Sequence, residues 1–160
     1  MAKHNRINQH AFKSGPVHEF ILSRVERSIG SLSPRFSFQR HSEIARELGL
    51  QPDSVVSLPD GRRVLIEVCC NNLTYDARNI VKERQVTGVV RVIAVAPNQR
   101  LKEALQRALA KCPPEKPKAP LAALFVLDAG QCLSQRFDWL KVLDAVATPG
   151  EGASDGPAVQ

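Results

Sequence analysis

An acidic side chain interrupts an otherwise apolar run, Val64-Leu65-Ile66-Glu67-Val68-Cys69, and a second acid, Asp53, opens the segment just before it. A charge inside so apolar a segment needs a counter-charge, a metal ion or solvent. If Asp53 and Glu67 meet, they form a hard-oxygen site of the kind Mg²⁺ or Mn²⁺ prefers. Such an ion polarises a phosphoryl oxygen and activates a water for attack on a phosphodiester. The plainer alternative is a strand-end glutamate paired with an arginine such as Arg63.

The meeting depends on a hairpin. Asp53-Ser54-Val55-Val56-Ser57-Leu58 reads as a strand and Arg63 to Cys69 as its return. Between them lies Asp60-Gly61, a dipeptide that tolerates positive φ and marks a tight turn. Side chains alternate along the return strand. Val64, Ile66 and Val68 therefore share one face, and Arg63, Leu65, Glu67 and Cys69 share the other. A tight turn sets Asp53 beside Glu67 at one end of the ribbon.

Other elements surround this hairpin. A helix begins near Ser14, read as its N-cap, with Gly15-Pro16 in the first turn. Val17, Phe20, Ile21, Val25 and Ile29 follow helical spacing on one side of it. Arg35 to Gln39 alternates as a short strand, and His41 to Leu48 is a short helix closed by Gly49. After the hairpin come a helix from Asn71 to about Val86 and a continuous apolar run, Val89 to Ala96, that reads as a buried central strand. Then follow a helix opened by Pro97-Asn98 and running to about Lys111, a strand from Leu121 to Leu127, and a helix from Gln135 to Val146. The expectation is one α/β domain over 15–146, with a mixed central sheet flanked by helices on both faces. A flexible basic arm, 1–14, precedes it, and a disordered Gly-, Pro- and acid-rich tail, 147–160, follows.

Pro52-Asp53, followed across the hairpin by Glu67-Val68-Cys69, resembles the PD-(D/E)xK nuclease superfamily, whose pattern is Pro-Asp, a gap, then acid-any-lysine. Gly15-Pro16-Val17-His18 and Asn79-Ile80-Val81-Lys82 resemble the flanking helices of small nuclease-like domains attached to bacterial and archaeal ATPases. The resemblance covers roughly residues 15 to 110. It implies a restriction-endonuclease-like fold acting on DNA, Asp53 and Glu67 as metal ligands with Mg²⁺ or Mn²⁺ as cofactor, and an ATPase as a conceivable partner; oligomeric state stays open. Cys69 stands where the family has its lysine, a group that would help activate the water and stabilise charge on the phosphate. Two outcomes follow. Lys82 substitutes from the next helix, where Tyr75, Asn79, Lys82 and Val86 share a side, with Asn79 and His18 assisting. Otherwise cleavage is lost, and a DNA-binding or protein-interaction module remains. His18 is read as either a phosphate- or water-orienting group or a partly buried histidine bonded to a carbonyl, and Glu19 is its rival for facing the site.

Composition is compatible with this. The formal charge of +6 favours polyanionic partners, although a solvated mixed-charge surface would carry the same total. Aromatic residues make up 5% of the chain, which disfavours single-strand recognition by base stacking. Cys69, Cys70, Cys112 and Cys132 lack CxxC spacing, so neither a disulfide framework nor a zinc site is expected. No apolar run reaches transmembrane length and no signal peptide is evident, which suggests the cytoplasm and no membrane partner.

Overall fold

The computed structural model describes residues 15–41, 43–44, 49–114 and 120–143. The basic arm, the C-terminal tail, most of the short helix before Gly49 and residues 144–146 lie outside that range.

Helix α1 spans Pro16–Gly30. Gly15, not Ser14, is its N-cap, and no side chain caps the helix. Proline at the first helical position has no N–H to satisfy there. The inward stripe is His18, Ile21, Leu22, Val25 and Ile29. Val17 and Phe20, expected inside, are 57% and 59% exposed. Ile21, Val25 and Ile29 fit either stripe. The helix is turned toward 18 and 22 because Leu22 fills the core and His18 meets a carboxylate.

Strands β1 (Ser37–Arg40), β2 (Ser54–Ser57) and β3 (Arg63–Val68) form an antiparallel meander. Gly61 turns the hairpin at φ 87°, and the Leu58 N–H donates to the Arg62 carbonyl at 2.8 Å across it. Positive φ at this position costs glycine nothing. Helix α2 (Leu73–Glu83) follows, capped by Asn72, which accepts from the Tyr75 N–H. It stops short of the expected Val86. Strand β4 (Val89–Ala96) then lies parallel to β3. Helix α3 (Gln99–Ala110) is capped by Asn98 in the same way, and β5 (Ala123–Asp128) lies parallel to β4. A four-residue helix, α4 (Ala129–Cys132), was not anticipated; the Asp128 side chain caps it. The last helix, α5 (Trp139–Leu143), starts four residues later than Gln135. The fold is therefore α/β, with one five-stranded mixed sheet in the order β1-β2-β3-β4-β5.

The pleat divides the core in two. Val64, Ile66, Val68, Ile93 and Val95 pack against α1 and α5. Leu65, Cys69, Val92 and Ala94 pack against α2 and α3 through Ala77, Ile80 and Leu105. Strands covered on both faces read as unbroken apolar runs, which is why β3 and β4 stand out in the sequence. Among the described residues no helix is long and apolar enough to cross a membrane.

Candidate active site

Asp53 lies one residue before β2. Its main-chain carbonyl accepts from the His41 N–H at 3.3 Å, which ties it to the end of β1. Its side chain turns to the other neighbour: Oδ2 accepts from the Val68 N–H at 2.8 Å. The antiparallel register pairs Ser54 with Ile66, so the next step sets Asp53 opposite Glu67. A carboxylate thus replaces the main-chain acceptor where the β2–β3 ladder ends, against the peptide that joins Glu67 to Val68.

The same Oδ2 lies 2.9 Å from His18 Nε2 on α1. To donate there, the imidazole must carry a proton on Nε2. Asp53 is fully buried and His18 is 4% exposed. The histidine that sequence left between two roles is therefore a carboxylate-bound one, facing the site in preference to Glu19. Glu19 points outward and holds Arg40 together with Ser23 and Glu26. Glu26 also accepts from Ser54 Oγ at 3.2 Å. This surface network fastens β1 and the start of β2 to α1.

The network has a testable pH dependence. The Arg40 guanidinium holds the Glu19 carboxyl below its ordinary range. A carboxylate lowered on folding stabilises the protein above its unfolded pKa, and that contribution is lost as pH falls through the folded value. Arg40→Ala is expected to cost about 1 kcal/mol at pH 7, small because the pair is largely solvated. In urea unfolding, the gap between wild type and variant should narrow in acid as Glu19 is protonated; a gap that does not narrow would show that the Glu19 pair contributes nothing.

Glu67 is 1% exposed and lies on the Leu65–Cys69 face, the side covered by α2 and α3. Asp76, in the first turn of α2, is also buried. The Cys70 thiol, pushed up to about 11 by burial first and then by the charges of Asp76 and Asp53, stands within the field of both acids. Both effects favour the protonated thiol over the thiolate. Asp76 escaped the sequence reading because an acid in a first helical turn is commonplace. Its spacing to Ile80 and Glu83, one stripe at i, i+4 and i+7, was the available signal.

That stripe also decides Lys82. The inward face of α2 is Asp76, Ala77, Ile80 and Glu83. Asn79 is half-buried at its border, whereas Lys82 is exposed in the last turn, about 13 Å along the axis from the helix start that follows β3. The structure brings His18, Asp53 and the end of β3 together and leaves Lys82 apart. Cys69, at the position of the family's lysine, is fully buried in the core.

Among the described residues no group of three or more His, Cys, Asp or Glu side chains could hold a metal ion. The two acids lie on neighbouring strands, with the Asp53 carboxylate turned to His18 on α1 and Glu67 on the face covered by α2 and α3. Comparison with family models, with curated proteins and with solved structures finds no match.

Proposed function

We propose that this chain is a nuclease-like domain that acts on DNA, hydrolysing phosphodiesters with Mg²⁺ or Mn²⁺ at Asp53 and Glu67. The observation that carries the reading is the Asp53 carboxylate seated on the Glu67–Val68 peptide, with both acids buried at one end of the hairpin. A helix before the hairpin and a helix after it, with the sheet passing from antiparallel to parallel at β3, support the restriction-endonuclease-like arrangement that the motifs suggest.

In this reading Asp53 and Glu67 would hold the ion. When bound, it polarises the phosphate and supplies an acidified water. His18 fixes the Asp53 carboxylate, and Val68 donates to the same oxygen, so the ligand is oriented before the ion arrives. Asn79, the proposed assisting group on α2, is half-buried at the border of its inner face. The four cysteines are free thiols, which suits a reducing compartment such as the cytoplasm.

A second reading, binding without cleavage, is favoured by one specific observation: a buried thiol occupies the lysine position while Lys82 faces solvent. A metal-titrated plasmid assay separates the two. Hydrolysis predicts Mg²⁺- or Mn²⁺-dependent nicking that Glu67→Gln removes while leaving the circular dichroism of the fold intact. Thermal stabilisation by the ion, lost in Glu67→Gln but without nicking in either protein, assigns the chain to binding alone. Neither nicking nor ion-dependent stabilisation would end the metal reading.

A further inference from the structure

Charge is unevenly distributed over the two faces of the sheet. On α1 the exposed and half-buried charges balance, with Glu19 and Glu26 against Arg24 and Arg27. On the opposite layer, α2 and α3 turn Asp76 and Glu83 inward, and Glu103 is the sole exposed acid within the two helices. Arg78 and Lys82 are exposed on α2, and Arg100, Arg107 and Lys111 are exposed on or just after α3. None of these five makes an ion pair among the described residues.

Their placement forms two rows. Arg78 and Lys82 are one helical turn apart on the side of α2 away from Ile80. On α3, Arg100, Arg107 and Lys111 follow at i, i+7 and i+11, within about 40° of one another around the axis. Lys102, on the other side of α3, reaches Gln131 beyond β5, so the arginine row lies on the side toward α2. The helices pack against each other, with axes about 8–10 Å apart. Arg100 stands in the first turn of α3, at the end of the sheet that holds Asp53 and Glu67, and Lys111 lies about 16 Å further along.

We infer that the outer face of α2 and α3 is a docking surface for the backbone of double-stranded nucleic acid, running away from the carboxylate end of the sheet. The inference takes its partner from the proposed function but places contact on a different surface. Lysine and arginine rows at these intervals meet phosphates without reading bases. Other exposed residues of this layer, Thr74, Gln85, Gln99 and Gln106, are polar, and none of its exposed residues is a large apolar one. An anionic membrane would call instead for large apolar side chains beside the cations.

The test is fluorescence anisotropy with a labelled duplex in EDTA, at salt from 50 to 200 mM, which removes any role for a metal. The expected result is that Arg78→Glu/Lys82→Glu and Arg100→Glu/Arg107→Glu each weaken binding at least about tenfold at low salt. Each should also flatten the logarithmic salt slope by about 2. Arg24→Glu/Arg27→Glu on α1 changes net charge equally and should bind like wild type. Equal loss in all three pairs would reduce the effect to net charge and overturn the surface. Wild-type affinity in both helix-layer pairs would overturn it too. A wild type that ignores duplex but binds poly-glutamate through these residues would make the partner an acidic protein and overturn the nucleic-acid assignment. The two proposals fail separately: nicking without loss in the helix pairs sinks this one, and mapped duplex binding without nicking sinks hydrolysis.

Discussion

Asp53→Ala is expected to lower the unfolding free energy by about 2–6 kcal/mol, the sum for two buried donors left without an acceptor at about 1–3 kcal/mol each. One oxygen of Asp53 receives both the Val68 N–H and His18 Nε2. Truncation leaves a main-chain donor and an imidazole nitrogen buried together, and an orphaned buried donor costs about 1–3 kcal/mol by itself. It also loosens the end of β3 and its tie to α1, while the His41 contact persists because it uses the Asp53 main-chain carbonyl. Asp53→Asn keeps a carbonyl oxygen in place and should recover part of the loss. Urea denaturation of wild type, Asp53→Ala, His18→Ala and the double variant measures the coupling; a pair that adds with no interaction energy would show that the histidine and the aspartate do not stabilise one another.

Cys69→Lys is expected to raise metal-dependent nicking by on the order of 10²–10³, the effect of one positioned charge-stabilising group in an active site. Cys69 follows Glu67 by two residues on the same strand face, so an ammonium introduced there would share the environment of that carboxylate. The thiol is fully buried, and burying a cation costs stability unless an opposite charge lies within reach. Glu67 is that charge, so the variant should fold, less stably than wild type. Cys69→Met adds comparable length without charge and separates the two effects: it should lose stability and gain no activity. If folded Cys69→Lys protein nicks no faster than Cys69→Met, the hairpin is not a nuclease scaffold lacking one part, and the hydrolytic reading falls.

The hairpin was legible because its signals are local. Asp60-Gly61 demands a turn, and the alternation of Val64, Ile66 and Val68 with Leu65 and Cys69 fixes which faces the strand presents. The asparagine caps at 72 and 98 acted on the helix starts beside them, and the run from Val89 to Ala96 became a strand with those bounds. Rotation of the helices was not legible. In α1 the apolar residues permit two stripes, and burial of His18 is favourable only because Asp53 waits across the interface. In α2 the chain offered Tyr75, Asn79 and Lys82 as one face and Asp76, Ile80 and Glu83 as another. Each stripe carries charge, and packing took the one with Ala77 and Ile80. The short helix α4 depends on Asp128 reaching the Gln131 N–H, a cap in the middle of what read as a loop.

The amino-acid sequence by itself determined the alternation of elements, the turn that folds β2 on β3, and the register that sets residue 53 opposite residue 67, because these follow from backbone preference and side-chain period over a few residues. Only the tertiary structure decided which acid His18 holds, that Asp76 of α2 is buried, and that Lys82 looks to solvent. Those outcomes depend on how helices roll on a sheet, and that is settled by the sum of contacts between segments far apart in the chain.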